Sequence, residues 1–153
     1  MTILCNRRRA VAGLGLTSLL SIRPSIAQGQ SAAPIKQPNE KTKAAFLARA
    51  QELREQAVRD GDQAYGAVVV RDGVIVGEGR NYVVLHSDPT AHAELLAVRD
   101  AATRLRTLDL SNCEVYSTAT PCPMCQGALY WARVRRYHNA STAPEGVAPR
   151  LSC

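Results

Sequence analysis

The chain has 153 residues, of which 46% are hydrophobic and 21% are charged, and this length and composition fit one globular domain with a buried core. Its formal net charge of +6 arises mostly at the N-terminus, because residues 1–27 hold four arginines and no acidic residue, whereas the rest of the chain holds fifteen basic and thirteen acidic residues. The body of the chain therefore shows no basic stripe, which argues against a nucleic-acid partner.

The N-terminal segment has the parts of an export signal. Three consecutive arginines precede an apolar run from Ala10 to Leu20, and small residues at positions 25 and 27 suit cleavage after Ala27. The apolar run is shorter than the roughly 20 residues that a membrane span needs, so no membrane association is expected after cleavage. The paired arginines resemble a twin-arginine signal. We therefore expect residues 1–27 to direct export to a bacterial periplasm, with a cytoplasmic location as the alternative.

The next segments predict a spacer, a helix and a hairpin. Residues 28–39 are small, polar and proline-containing, which predicts a flexible spacer. Residues 40–60 predict an amphipathic helix. Its buried face consists of apolar residues at helical spacing, namely Phe46, Ala50, Leu53 and Ala57. Residues 65–70 and 74–81 then predict two strands joined by a turn at Asp72-Gly73.

The second half of the chain predicts two helices alternating with two strands. Asp88 is the expected N-cap of a helix whose first residue is Pro89. The side expected to be buried is formed by Leu95, Val98 and Ala102. A strand over residues 112–119, a short helix beginning near Pro121 and a last strand at RRYHNA follow. The order α-β-β-α-β-α-β predicts an α/β domain in which helices cover a mixed sheet.

Four residues at the starts of the two later helices suggest a metal site. His92 and Glu94 lie in the first turn of one helix, and Cys122 and Cys125 open the other. Both helices follow strands, so we expect both to begin at the same edge of the sheet. One imidazole and two thiolates favour zinc over magnesium or calcium. Three protein ligands leave a fourth tetrahedral position for water, and the Glu94 carboxylate is placed to move that water's proton.

Two other kinds of site fit parts of this pattern. A closed structural zinc site would need a fourth protein ligand, for which the candidates are His86, Asp88, Cys113 and His138. A redox-active C-x-x-C pair is the second alternative, although no thioredoxin-like order of elements surrounds it. Cys113 is expected to be a small apolar residue at the start of a strand, and a disulfide with Cys153 is conceivable in an oxidising compartment.

The segments HAE (92–94) and PCPMC (121–125) match the H-x-E…P-C-x-x-C signature of zinc-dependent nucleobase deaminases. From residue 40 to about 138, the chain resembles the cytidine-deaminase-like superfamily. Its segments YGAVVVRDGVIVGEGRN, DPTAHAELLAVRDA and PCPMCQGALYWA look most like bacterial guanine deaminases and their nucleoside-deaminase relatives. The resemblance implies a three-layer α-β-α domain with a mixed central sheet over residues 40–138.

The resemblance also implies residue roles and an activity. Zinc would bind to His92, Cys122 and Cys125, with Glu94 as the proton shuttle and Asn81 as a substrate-binding residue. The implied reaction is hydrolytic removal of an exocyclic amine from a small nucleobase or nucleoside, with guanine or a related purine favoured. Deaminases that act on tRNA adenosine or on cytosine share the same motifs, so these substrates are alternatives. A zinc-binding protein that descends from a deaminase but has no activity is the alternative from another functional class. The family is usually a homodimer or larger.

The sequence departs from the family pattern at two places. Thr120 stands where the family commonly has glutamate before Pro-Cys, and we expect little effect on the metal. Relatives continue with a further helix, and their C-terminal segment helps to close the substrate pocket. Residues 139–153 are predicted to form a short irregular tail instead, so we expect this wall of the pocket to be short or absent.

Overall fold

The structure is a computed structural model that describes residues 33–140, so the predicted signal peptide, part of the spacer and residues 141–153 of the tail lie outside the described residues. Seven elements follow in the predicted order: α1 (Lys43–Arg59), β1 (Gly66–Arg71), β2 (Val74–Arg80), α2 (Ala93–Leu105), β3 (Cys113–Ser117), α3 (Pro123–Trp131) and β4 (Arg136–Asn139). No helix within residues 33–140 has the length and apolar character that crossing a membrane requires.

The four strands form one mixed sheet in the order β2-β1-β3-β4. Strand β1 is antiparallel to both β2 and β3, and β4 runs parallel to β3. The β1–β2 connection is the predicted tight hairpin, in which Asp72 and Gly73 both have positive φ angles, of 52° and 75°. Because β2 and β3 both run opposite to β1, their C-terminal ends lie at the same edge of the sheet.

Helices cover both faces of the sheet, which confirms the predicted three-layer α/β fold. Alternate residues of β1 enter two separate cores, as the period of a strand requires. Val69 packs with residues of α2 and α3, such as Ala97 and Leu129. Val68 packs with residues of α1 on the opposite face, such as Phe46 and Leu53. The buried face of α1 is the predicted one.

The described part of the predicted spacer is docked on the domain. Ile35 packs against the core beneath α1. The Gln37 side chain bonds to the backbone of Ile75 in both directions, since its Nε2 donates to the carbonyl at 2.8 Å and its Oε1 accepts from the N–H at 2.9 Å. Strand β2 is an edge strand, so Gln37 satisfies polar backbone groups that an exposed edge leaves unpaired.

Helix α2 begins later than the sequence predicts, and the predicted N-cap role of Asp88 is wrong. The Asp88 carboxylate accepts hydrogen bonds from the backbone N–H and the hydroxyl of Thr90, at 2.8 and 2.7 Å. These bonds close a separate turn around Pro89, and the helix starts at Ala93 with His92 as its N-cap. The same short-range chemistry caps turns and helices, which is why the local sequence did not distinguish them.

The buried side of α2 agrees with the prediction at Val98, which is buried, and differs elsewhere. Ala93, Ala97 and Ala101 are fully buried, whereas the predicted Leu95 and Ala102 are only half-buried. The reason is a close approach of the helix to β2, where a Cβ added to Gly79 would lie 2.3 Å from the carbonyl oxygen of Ala93. Small residues on both surfaces therefore set the distance between the sheet and the start of α2.

Candidate metal centre and active site

The two later helices each begin at a residue of the predicted site. His92 is the N-cap of α2 and Cys122 is the N-cap of α3, and both have extended backbone conformations. Neither side chain makes the capping hydrogen bond to its own helix that N-cap residues usually make. Pro123 occupies the first helical position of α3, where its missing N–H costs no hydrogen bond. Both side chains are therefore left to interact with each other.

The structure brings His92, Cys122 and Cys125 together. The His92 Nδ1 lies 3.6 Å from the Cys122 Sγ and 3.7 Å from the Cys125 Sγ. All three ligand atoms lie within 4.8 Å of one another. A tetrahedral zinc ion with bonds of about 2.0–2.1 Å to nitrogen and about 2.3 Å to sulfur requires N–S separations of about 3.6 Å. The three side chains thus fit a zinc ion as they stand.

The charges at the cluster also fit a divalent cation. Burial raises the pKa of the Cys125 thiol, and the nearby Glu94 carboxylate and Cys122 raise it further. Two anionic groups at such close range are unfavourable in a buried site without a compensating charge. A bound cation reverses this balance and stabilises the thiolate.

Glu94 faces the same cluster. It is 5% exposed, and its Oε1 accepts a hydrogen bond of 2.9 Å from the Ser117 hydroxyl at the end of β3. Its Oε2 lies 3.6 Å from the Cys125 Sγ. The two carboxylate oxygens therefore have different surroundings, one held by Ser117 and the other beside the Cys125 thiol.

Ser117 was not found by sequence analysis. A weak signal exists, because Val115 and Ser117 are two residues apart in one strand and therefore point to the same face of the sheet. The face that holds Val115 is the one covered by α2 and α3. The alternation of the strand therefore places Ser117 on this face but does not identify Glu94 as its partner.

Asn81 follows directly after β2 and is 1% exposed. Its Nδ2 donates to the Asp62 Oδ1 at 3.3 Å and to the Gln63 Oε1 at 3.1 Å. Its Oδ1 is buried and has no hydrogen-bond partner among the described residues. The next residue, Tyr82, donates its backbone N–H to the carbonyl of Ala91 at 3.0 Å, which ties the end of β2 to the segment entering α2.

Among the residues that the structure describes, none joins the cluster as a fourth ligand. Within residues 33–140, the single group of three or more potential ligands consists of His92, Cys122 and Cys125. Of the four alternative candidates, Asp88 forms the turn with Thr90, and Cys113 is buried in the core beneath α2. The other two have aromatic contacts elsewhere, because His86 stacks on Tyr82 and His138 stacks on Tyr116. This geometry favours an open site over a closed structural one.

Comparisons with known proteins agree with the site chemistry. The chain is 48% identical over 89 residues to the guanine deaminase of Bacillus subtilis, covering 58% of this chain and 57% of the relative. It is 41% identical over 91 residues to a tRNA-specific adenosine deaminase of Aquifex aeolicus, covering 60% of each protein. The match thus spans less than two thirds of the length of these relatives.

A solved structure gives the same result for the fold. The crystal structure of guanine deaminase from Bacillus subtilis superimposes with a TM-score of 0.63 at 44% identity, covering 65% of this chain and 64% of that chain. The family described as the cytidine and deoxycytidylate deaminase zinc-binding region matches residues 40–140, which include every residue of the cluster together with Asn81 and Glu94. The chain therefore belongs to the cytidine and deoxycytidylate deaminase zinc-binding family, whose cofactor, zinc, fits the site formed by His92, Cys122 and Cys125.

Proposed function

We propose that this protein is a zinc-dependent hydrolytic deaminase that removes an exocyclic amine from a small nucleobase, with guanine or a related purine as the substrate. The observation that carries the proposal is the open cluster of one imidazole and two thiols beside a buried carboxylate. His92, Cys122 and Cys125 would hold the zinc ion. Zinc in such a site activates a water molecule by lowering its pKa to about 7.

The protein residues around the metal have separate tasks in this proposal. Glu94 takes one proton of the attacking water on Oε2 and gives it to the ring nitrogen beside the reacting carbon. It then takes the remaining proton of the added hydroxyl and gives it to the amine, which leaves as ammonia. The Ser117 hydroxyl holds Oε1, so that the free oxygen of Glu94 stays directed to the cluster. Asn81 holds the heterocycle through its carboxamide.

A small purine is favoured over tRNA for two reasons. The identity to the Bacillus subtilis guanine deaminase, 48%, exceeds that to the Aquifex aeolicus tRNA adenosine deaminase, 41%. The chain beyond the predicted signal is also nearly neutral, which suits a small ligand better than a polyanion. The tRNA adenosine is the second candidate, because that relative matches over a similar share of the chain.

The cellular setting of this activity belongs to the same proposal. The arginine-rich segment before the apolar run supports export to the periplasm through a twin-arginine route. Such a route carries folded proteins, which suits a protein that binds its metal before export. We also propose a homodimer, as the family resemblance implies.

A substrate panel tests the proposed function. The purified zinc-loaded protein is offered guanine, adenine, cytosine, their nucleosides and a tRNA anticodon stem-loop containing adenosine, and ammonia release is measured together with zinc content. We expect ammonia release from guanine, with no release from the stem-loop. Turnover of the stem-loop in place of guanine would favour the tRNA candidate. Stoichiometric zinc with no ammonia release from any of these compounds would indicate a binding protein and contradict the proposal.

A further inference from the structure

Asp62 connects two loops at the edge of the candidate active site. It lies in the turn after α1, is 8% exposed, and accepts hydrogen bonds on both carboxylate oxygens. Its Oδ2 accepts from the backbone N–H groups of Val84 and Leu85, both at 3.0 Å. Its Oδ1 accepts from the backbone N–H of Gln63 at 2.7 Å and from the Asn81 Nδ2 at 3.3 Å. The loop between α1 and β1 is thereby tied to the loop between β2 and α2.

This carboxylate is ionised in the folded protein. Burial alone would raise the pKa of Asp62, but hydrogen bonds from Leu85, Gln63, Asn81 and Val84 outweigh burial and hold that pKa below its ordinary value. An ionised carboxylate accepts hydrogen bonds and cannot donate one. The group that faces the Asp62 Oδ1 must therefore be a donor.

That requirement fixes the orientation of the Asn81 carboxamide. Its NH₂ group must face Asp62, and the second hydrogen of that group is directed to the Gln63 Oε1 at 3.1 Å. Both donors of the side chain are thus used within the protein. The Oδ1 remains, buried and without a partner among the described residues. A buried carbonyl left in this state is unfavourable, and a ligand that donates a hydrogen bond would satisfy it.

We propose that Asp62 is a positioning residue that locks the Asn81 carboxamide so that its carbonyl oxygen is the group offered to the substrate. The ligand must then present an N–H donor at that point, which a purine base with unsubstituted ring nitrogens does. A heterocycle with a lone pair or a substituent at the same nitrogen meets the Asn81 oxygen without a hydrogen bond and is discriminated against. We call this fixed orientation of the Asn81 carboxamide by Asp62 the lock. The identity of the ligand rests on the proposed function, whereas the lock rests on the contacts of Asp62.

Inverting the pair tests the lock. Asp62→Asn lets the new amide donate to Asn81 and turns the Asn81 NH₂ group toward the ligand, and Asn81→Asp places two carboxylates together. Each single variant should raise KM for guanine about 10- to 100-fold, with a smaller effect on kcat, because a polar contact to the ligand is lost or reversed. In the double variant, the amide at 62 donates to the carboxylate at 81, whose second oxygen again faces the ligand, although the same NH₂ group no longer accepts from the Gln63 backbone N–H. We therefore expect partial recovery, with a KM for guanine at least about threefold below that of either single variant.

A matched control separates positioning from general stability. Asp100 is likewise a carboxylate that accepts a backbone hydrogen bond, from the N–H of Glu78 in β2 at 3.0 Å, and its side-chain partner is Arg104 rather than Asn81. Asp100→Asn should therefore leave KM for guanine within about twofold of its original value, since distant sites act independently. A loss of folded protein alone would lower the apparent kcat of a variant without changing its KM.

A second readout does not depend on turnover. The side-chain NH₂ signals of Asn81 are identified in a ¹H–¹⁵N spectrum by their loss in Asn81→Asp. We expect both hydrogens to exchange slowly with water in the unsubstituted protein, and Asp62→Asn to shift the signals and speed their exchange. If the unsubstituted protein turns over no guanine but its spectrum behaves in this way, the proposed function fails and the lock stands.

Three results would overturn the lock. The first is an unchanged Asn81 spectrum in Asp62→Asn, and the second is an unchanged KM for guanine in that variant. The third is a double variant that is no better than the worse single variant. If Asp62→Asn does not fold, the Asn81 spectrum of the unsubstituted protein carries the test, because rapid exchange of either side-chain hydrogen with water would overturn the lock.

Discussion

The Glu94→Gln variant will bind zinc as the unsubstituted protein does but will release ammonia about 10²- to 10⁴-fold more slowly, which is the usual contribution of a general acid–base residue. Glutamine keeps an oxygen that accepts the hydrogen bond from Ser117, so the side chain stays in place. It lacks an oxygen that can take a proton and return it. The measurement is kcat with the most active base of the panel, together with zinc content.

Glu114→Gln is a matched control for this change. Glu114 also accepts a hydrogen bond from a hydroxyl, that of Tyr116 at 3.1 Å, but it lies on the strand β3 with its partners toward the α1 side of the sheet. Its replacement should leave kcat within about twofold, because it is distant from the reacting groups. If Glu94→Gln retained more than a few per cent of the activity, Glu94 would not be the proton shuttle.

The Cys125→Ala variant will lose its zinc. The substitution removes one of the three ligands, and the two that remain bind zinc too weakly to retain it during gel filtration. Because zinc binds the folded chain and stabilises it by mass action, the melting temperature of the variant should no longer rise on addition of zinc. Zinc content after gel filtration and thermal unfolding with and without zinc are the two measurements.

Cys113 provides the control for this substitution. It is a buried cysteine of the same domain, 1% exposed, and lies in the core rather than at the cluster. Cys113→Ala removes a thiol of similar burial and should keep the zinc and the zinc-dependent rise in melting temperature. Equal zinc retention by both variants would show that Cys125 is not a ligand.

The order of the elements could be predicted from the sequence because each signal is local. Helical spacing of Phe46, Ala50 and Leu53 identifies α1, and the Asp72-Gly73 turn identifies the first hairpin. The strand order β2-β1-β3-β4 was not predicted, because pairing depends on contacts between segments far apart in the chain. The covering of the mixed sheet by helices was predicted from the order of the elements, and the three layers were implied by the family resemblance.

The start of α2 could not be predicted because the same local residues close turns and cap helices, and most of its buried face could not be predicted because that face depends on a distant strand. Asp88 and Pro89 carry the local signal of a helix start, yet Thr90 takes both hydrogen bonds of Asp88. The choice of alanines over Leu95 for the buried face depends on the close approach of β2 at Gly79. The contact with Gly79 leaves no mark in the sequence of the helix itself.

The candidate site also contains residues that the sequence predicts and residues that it does not. The pattern of His92, Cys122 and Cys125 is recognisable because the ligand types and their spacing within each helix are local. His92 and the two cysteines lie about thirty residues apart in the chain. They are predicted to meet because strands that run in one direction end at the same edge of the sheet, where the following helices begin. The residues that hold the neighbouring side chains, Ser117 and Asp62, come from other elements, and their roles depend on three-dimensional proximity alone.

X-ray absorption at the zinc edge, measured on the unsubstituted zinc-loaded protein, tests the central claim most directly. The account predicts one nitrogen ligand at about 2.0–2.1 Å, two sulfur ligands at about 2.3 Å and one oxygen ligand in the fourth position. A first shell made of four protein ligands, or one with fewer than two sulfurs, would contradict the open three-ligand site at His92, Cys122 and Cys125.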